Sequence, residues 1–252
     1  MAFPQLKNLT QTFSMIYKIL PLLMFFCSTF TTNTTGKTET PKKLIAATSN
    51  KSSFEMKVEK IYSSLHSNNL ALPRMESFSK ALQGFYNLKE KGIIKKDILT
   101  LVDFSLSSNT KRLWIIDMST NTVLYNSLVA HGRNTGEEFA KDFSNVGSSF
   151  KSSLGFYATG EVYQGKHGLS LRLDGLEKGI NDNARSRAVV VHGADYVAED
   201  FIKAHGRLGR SQGCPALPVG ITKEIINVIK DKSCLFIYHP STNYTTATKL
   251  IS

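Results

Sequence analysis

Ala188-Val189-Val190-Val191-His192-Gly193 and Arg210-Ser211-Gln212-Gly213-Cys214-Pro215-Ala216-Leu217 are the two stretches that decide the fold and chemistry of this chain. The first is a run of β-formers that predicts a buried strand ending in His-Gly. The second places a cysteine among small residues, 22 positions after His192. An imidazole at a strand end and a thiol in a small-residue loop are the parts of a cysteine nucleophile with its base.

The reactive form of such a cysteine is the thiolate, and a neighbouring imidazolium lowers the pKa of a thiol. We therefore expect His192 to ionise Cys214. The small residues Ser211 and Gly213 leave room for a substrate carbonyl, and the N–H groups of Gly213 and Cys214 would hold the developing oxyanion. The alternative is that Cys214, beside Pro-Ala-Leu, is only a small buried hydrophobe.

Strand-forming patterns dominate the region from about residue 97 to residue 240. The β-rich runs are 98–106, 112–118, 123–130, 155–159, 161–163, 169–173 and 234–238. A Gly/Ser/Asn-rich loop occupies 132–153, and long ordered loops are often functional. Short helices are expected at 197–204 and at 221–229, where apolar residues share one face. The fold class predicted for 97–240 is mainly β with a few short helices.

Two amphipathic helices precede this region. Apolar stripes begin at Phe54 and at Phe78, and Gly92 ends the second. Residues 54–96 are therefore predicted to form a helical N-terminal element. Residues 31–53, rich in Thr, Ser, Asn and Lys, are predicted to be a flexible tether, and 241–252 a C-terminal tail.

The first 30 residues have the pattern of a signal peptide or an N-terminal anchor. Lys7 and Lys18 precede an apolar stretch from Ile19 to Phe30, which is shorter than the ~20 residues of a membrane span. We expect an exported protein of the periplasm or cell envelope, either released or anchored by this segment.

The net charge of +11 is concentrated at the N-terminus, since residues 1–96 hold 14 of the 31 Lys and Arg but 5 of the 20 Asp and Glu. This basic region either contacts an anionic membrane or wall polymer, or is a solvated surface. Aromatic and basic residues do not alternate as in a nucleic-acid groove, so no nucleic acid is expected as a partner. Pairing of Cys214 with Cys234 is not expected, because Cys234 opens an apolar strand.

The sequence around the thiol resembles that of the L,D-transpeptidases of bacterial cell-wall synthesis. Their signature is a His, a span of variable length and then Ser/Thr-His-Gly-Cys; here His192-Gly193 is followed by Ser211-x-Gly213-Cys214. The stretch 152–157, SSLGFY, is similar to that family's Thr-Pro-x-Gly-x-Phe/Tyr strand. The string GRLGRSQGCPALP at 206–218 is most similar to the branch called murein L,D-transpeptidase catalytic domain proteins. The similarity covers about 97–240.

This resemblance implies a β-sandwich or open-barrel catalytic domain that acts on peptidoglycan stem peptides without a cofactor. Cys214 would attack the carbonyl of the L-centre in a stem tetrapeptide and a D-amino acid would leave. An amine of a second stem, or water, would then resolve the thioester. The resemblance makes His192 the base, the Gly193 carbonyl the group that orients its ring, and the N–H groups of Gly213 and Cys214 the oxyanion hole.

Two positions depart from the family pattern. Gln212 stands where the family usually has His, so an acid–base role is lost there and a positional role remains. Ala216 stands where Arg or Asn is common, so another residue must bind the substrate carboxylate. Arg210 is the candidate, because a guanidinium binds a carboxylate in bidentate fashion; a structural bond to the loop backbone is the alternative.

Three further residues are candidates for substrate binding. Ser211 would fix the thiol or a substrate carbonyl, or cap the loop. His131 follows a strand and opens the long loop, and Tyr157 either lines the cleft or belongs to the core. His167 lies between glycines in a hairpin turn, where a turn role is expected.

Other functions remain open from the residues alone. An L,D-carboxypeptidase would use the same acyl-enzyme, and a non-catalytic cell-wall-binding protein would not need the thiol. Papain-like or amidase cysteine peptidases usually place the Cys before the His, although such sites are recognised by geometry rather than order. A zinc carboxypeptidase is disfavoured because no His has Glu three residues before it, and no metal site is predicted.

Overall fold

The computed structural model describes residues 52–251. The predicted signal peptide or anchor (1–30) and nearly all of the predicted tether (31–53) lie outside the described residues. The elements in chain order are α1 Ser53–Ser63, α2 Met75–Glu90, β1 Ile98–Asp103, β2 Leu113–Asp117, β3 Thr122–Ser127, β4 Gly155–Gly165, β5 Gly168–Gly175, β6 Val190–Gly193, α3 Glu199–His205, β7 Ala216–Leu217, α4 Val219–Ile229, β8 Cys234–Tyr238 and α5 Thr242–Ala247. Between residues 52 and 251, no helix has the length and apolar character needed to cross a bilayer.

One mixed sheet organises this part of the chain, with strand order β3-β2-β1-β8-β4-β5-β6-β7. The chain that leaves β3 returns to the opposite edge, where Ala130 forms a bridge with Ala216 and Gly132 forms one with Ser211. The sheet is therefore nearly closed into a barrel. The mainly β, open-barrel fold class predicted from the sequence is confirmed.

Strand β4 shows where the sequence pattern was misleading. The two runs predicted at 155–159 and 161–163 are one strand, Gly155–Gly165. Its pairing with β5 shifts register between Thr159 and Val162, as at a β-bulge. The extra residues break the alternation of apolar and polar side chains, which is why the run appears interrupted in the sequence.

The helical N-terminal element is part of the same core and not an appendage. Helix α2 packs on β1 and β8 and buries Phe78, Leu82 and Phe85. Helix α1 begins with a capping box between Ser52 and Glu55 and packs against α2. The predicted boundary at residue 97 therefore does not separate two packing units.

The predicted C-terminal tail, 241–252, contains helix α5 and packs on the rest of the described chain. Tyr244 and Thr248 donate hydrogen bonds to the buried carboxylate of Glu177, and Leu250 and Ile251 are buried. A buried carboxylate needs such donors, because an unpaired one would carry a large desolvation cost. The polar composition of 241–249 concealed this role.

Gly84 in α2 provides a test of how this helix packs. A methyl group there would overlap the ring of Phe156 in β4. Alanine favours helix by about 1 kcal/mol over glycine, but overpacking costs about 1–3 kcal/mol. We predict that Gly84→Ala lowers the free energy of unfolding measured by chemical denaturation.

Gly220 in α4 is the matched control, since nothing lies within 4 Å of a methyl group added there. Gly220→Ala should leave the stability unchanged or raise it slightly. Equal stabilisation by both substitutions would show that α2 does not pack on Phe156 as described.

Candidate active site

Cys214 and His192 face one cleft. The cavity has a volume of about 480 Å³ and opens between the tip of the β4–β5 hairpin, the end of β6 and the loop before β7. Cys214, His192, Arg210, Ser211 and Gln212 all line it. The structure therefore brings together most of the residues that the sequence singled out.

Strand pairing explains how the thiol and the imidazole come to line the same cleft. Strand β6 pairs in parallel with β7, with His192 opposite Ala216. Cys214, two residues before Ala216, therefore lies alongside the start of β6. The Val190 N–H points to Sγ of Cys214 at 3.4 Å, and Sγ lies 3.7 Å from the carbonyl oxygen of Ala188.

The His192 ring is held in one orientation. Its Nδ1 lies 2.9 Å from the carbonyl oxygen of Gly193, the contact that the sequence analysis expected. Since a carbonyl only accepts, Nδ1 carries the proton and Nε2 is left with a lone pair. Burial lowers the pKa of His192, and the neighbouring His167 and Lys166 lower it further. The ring is therefore a neutral base at neutral pH.

The thiol of Cys214 is neutral as well. Burial raises its pKa, and the Val190 N–H and the charge of Arg187 offset only part of that effect. These pKa directions do not favour the expected thiolate–imidazolium pair in the resting protein, because burial disfavours the charged form of both groups. The pair would act by transfer of the proton as the sulfur attacks.

The loop before Cys214 is closed by its own hydrogen bonds. The Gly213 N–H donates to Oγ of Ser211 at 3.0 Å, and that hydroxyl donates to the carbonyl oxygen of Cys214 at 2.6 Å. The Gly213 N–H is thus already used, contrary to its expected place in the oxyanion hole. The Cys214 N–H, which has no acceptor among the described residues, remains the candidate donor. Ser211 caps the loop.

Gly213 itself is required by the backbone. Its φ of 124° lies in the region that favours glycine. A side chain there would also bring Cβ to 2.8 Å from the carbonyl oxygen of Lys151. The buried Ser152 hydroxyl holds the backbone of Gly213 close to that of Gly132. It accepts a hydrogen bond from the Gly132 N–H and donates one to the Gly213 carbonyl, both at 3.0 Å.

Arg210 lines the cleft but is held by the protein. Its Nη1 donates to the carboxylate of Glu137 at 2.5 Å and to the carbonyl oxygens of Arg133 and Gly136. The structural alternative for Arg210 is thus realised, and its charge is paired. Gln212 is exposed at the cleft and its amide is open to a substrate.

His131 and Tyr157 lie outside the cleft, in the core. Arg112 donates to Nδ1 of His131 at 2.8 Å, and Nε2 of that ring donates to the Gly136 carbonyl. Burial and then the charge of Arg112 lower the pKa of His131 to about 4. The Tyr157 hydroxyl donates to the Ser153 carbonyl at 2.9 Å. The cleft position predicted for His131 is therefore wrong, whereas for Tyr157 the core alternative is realised, because both side chains are buried away from the cavity.

His167 and Arg187 line the cleft as well, although neither was predicted to lie there. The His167 ring stacks on that of His192, with centroids 4.6 Å apart and planes 29° apart. The hairpin turn was predicted, but not that its tip folds over the base. Arg187, just before β6, also lines the cleft. It belongs to no motif, so no sequence signal pointed to it.

The part of the chain that the structure describes contains no set of metal ligands. Among the described residues, no group of three or more His, Cys, Asp or Glu side chains is placed to hold a metal ion. Cys214 and Cys234 are both free thiols.

Comparison with known proteins gives a family match and a set of distant structural matches. The model of L,D-transpeptidase catalytic domains matches residues 69–238. The similar solved structures include an L,D-transpeptidase from Mycobacterium smegmatis (12% identity, TM-score 0.36, covering 57% of this chain and 59% of that chain). They also include the helical cell shape determining protein Pgp2 from Campylobacter jejuni (14%, 0.39, 65% and 57%) and an L,D-transpeptidase from Stackebrandtia nassauensis (11%, 0.35, 66% and 68%).

The match to the first of these structures thus spans less than two thirds of its length. Among curated proteins no significant match was found. The family match begins at residue 69, so it includes α2, which the sequence analysis placed outside the catalytic region. Because that match covers well over half of the chain, the protein belongs to the L,D-transpeptidase catalytic domain family.

Proposed function

We propose that this protein is a peptidoglycan L,D-transpeptidase that forms an acyl-enzyme on Cys214 with a stem tetrapeptide and transfers it to an amine acceptor. One observation carries the proposal. The Cys214 thiol and a neutral, oriented His192 imidazole open onto the same cleft. Family membership supplies the substrate class, the peptidoglycan stem peptides.

The chemistry follows from the two neutral groups. His192 Nε2 takes the proton of the Cys214 thiol as sulfur attacks the carbonyl carbon of the L-centre. The carbonyl oxygen becomes an oxyanion, for which the Cys214 N–H is the candidate donor. The C–N bond then breaks, and the departing amino group takes the proton from Nε2. An incoming amine repeats these steps in reverse and releases the thiol.

The group that accepts the acyl chain from the thioester distinguishes this proposal from its nearest alternative. If water resolves the thioester, the protein is an L,D-carboxypeptidase, a hydrolase of stem peptides. Two residues near the thiol differ from the usual family residues, Gln212 at the cleft and the buried Ala216, and this difference is the observation that favours considering hydrolysis. A non-catalytic cell-wall-binding protein would form no thioester at all.

The place of action is a separate proposal. The pattern of Lys7, Lys18 and the apolar stretch to Phe30 supports export to the periplasm or cell envelope. The excess of basic residues in 1–96 supports contact with an anionic membrane or wall polymer.

Covalent trapping tests the nucleophile. A carbapenem presents a strained amide carbonyl, so attack by Cys214 opens the ring and retains the whole molecule. We predict an increase in intact mass equal to one carbapenem, located on the Cys214 peptide, and none in Cys214→Ala.

Cys234→Ala is the matched control and should keep the adduct, because that thiol is fully buried. Incubation with a stem tetrapeptide and an amine then separates the functions by product. A cross-linked product supports transfer, a tripeptide alone supports hydrolysis, and the absence of both adduct and product rejects the enzymatic proposal.

The pH dependence of kcat/KM tests the base. His192 must be neutral to act, and its pKa is lowered by burial and by His167 and Lys166. We predict that the acid limb has its midpoint below the ordinary histidine value of about 6.5. Replacing His167 by Gln should move that limb to higher pH, since one source of the lowering is removed. A wild-type midpoint above 6.5 would be incompatible with this role for His192.

A further inference from the structure

Arg187 is a partly buried cation at the cleft whose hydrogen-bond partners are all neutral. It precedes β6 and lines the cavity that holds Cys214. Nη1 donates to the Ser144 carbonyl at 2.8 Å and to the Ser153 hydroxyl at 2.5 Å. Nη2 donates to the Lys151 carbonyl at 2.7 Å and to the Ser149 hydroxyl at 3.3 Å. These four bonds fix the guanidinium without neutralising it.

The charge of Arg187 is therefore available to the cleft. No ion pair joins it to a carboxylate among residues 52–251, whereas Arg210 is paired with Glu137 and Arg185 with Glu161 and Asp174. No Asp or Glu lines the cavity. A fixed, uncompensated charge beside a site of low dielectric acts strongly on charge that develops there.

The backbone at Ala188 connects Arg187 to the surroundings of the Cys214 thiol. Ala188 has a φ of 54°, which is uncommon for a residue with a Cβ. Its carbonyl oxygen lies 3.7 Å from Sγ of Cys214. A Cβ built on Gly213 would lie 3.5 Å from Nη2 of Arg187, so the guanidinium abuts the residue next to the nucleophile.

We propose that Arg187 is a positioning residue whose fixed positive charge stabilises the negative charge that forms on Cys214 during attack. The proton passes from Sγ to Nε2 of His192 as sulfur attacks. Arg187 stabilises the negative charge that develops on sulfur while the electron pair of the S–H bond becomes the bond to carbon. This inference rests on the proposed function, since it takes Cys214 as the nucleophile. It deepens that function by assigning the cation.

The other charged or titratable groups facing the cleft come from three elements. They are Tyr163, Lys166 and His167 in the β4–β5 hairpin, His192 and Tyr196 on and after β6, and Arg210 in the loop of the thiol itself. Tyr196 is neutral, because burial raises its pKa to about 12. The charge of Arg187 is coupled to the thiol, consistent with its effect on the pKa of Cys214.

Alkylation by iodoacetamide tests this without any substrate, because only the thiolate reacts. The rate of modification of the Cys214 peptide, measured by mass spectrometry from pH 6 to 10, titrates the thiol. Arg187→Gln should slow alkylation about threefold to tenfold below the midpoint and move the midpoint to higher pH. Arg187→Lys, which loses the fork of bonds but keeps the charge, should stay near the wild type.

Arg185→Gln is the matched control, two residues away and already paired with carboxylates, and should leave the profile in place. Equal shifts in Arg187→Gln and Arg187→Lys would overturn the proposal in favour of a purely structural role. So would an unchanged profile in Arg187→Gln.

A second variant, which keeps the charge of Arg187, tests the proposal even if Arg187→Gln fails to fold. Ser149→Ala/Ser153→Ala removes two of the four acceptors of Arg187 and leaves its charge. An unchanged midpoint supports the proposal, and a shift to higher pH overturns it. A shifted Arg187→Gln profile with no carbapenem adduct in the wild type would reject the proposed function while leaving the electrostatic inference intact.

Discussion

The short parallel pairing of β6 with β7 is the constraint on which the site depends. It sets His192 opposite Ala216 and thereby brings the loop of Cys214 against the start of β6. Two residues of β7 would not hold this register alone. The bridge from Ala130 to Ala216 and the Ser152 hydroxyl, which joins Gly132 to Gly213, tie the same loop to the chain that follows β3. Closure of the barrel and assembly of the site are therefore one event.

Burial gives the site its electrostatic character. It raises the pKa of the Cys214 thiol and lowers that of the His192 imidazole, so both rest in the neutral form. In the proposed mechanism, a neutral pair would keep the proton on sulfur until a substrate carbonyl is in place. The negative charge that would then form on sulfur lies near groups that are already oriented, the Val190 N–H and the guanidinium that we propose to stabilise it, that of Arg187. Little reorganisation is needed at the moment of reaction.

The remote parts of the chain support this arrangement through buried polar groups with complete sets of partners. Arg112, fully buried, donates to the carbonyl oxygens of Val129 and Leu106 and to His131. Glu177 accepts from the Phe156 N–H, Tyr244 and Thr248, which fastens the C-terminal segment to β4. Each such group is costly to bury unpaired, so these contacts specify a single arrangement of the segments around the barrel.

The sequence by itself determined the mainly β class and the amphipathic helices, and it singled out the strand-end His192 and Cys214 as candidates, because periodicity and local motifs are encoded by neighbouring residues. The resemblance to the family also implied the contact between the imidazole and the Gly193 carbonyl. Only the tertiary structure decided which side chains face the cleft and which charged groups there are paired with an opposite charge. Tyr157 and His131 lie in the core, and the Gly213 N–H donates to Ser211. Arg210 is paired with Glu137, and His167 and Arg187 lie at the cleft. These outcomes depend on contacts between residues far apart in the chain, and no local pattern records them.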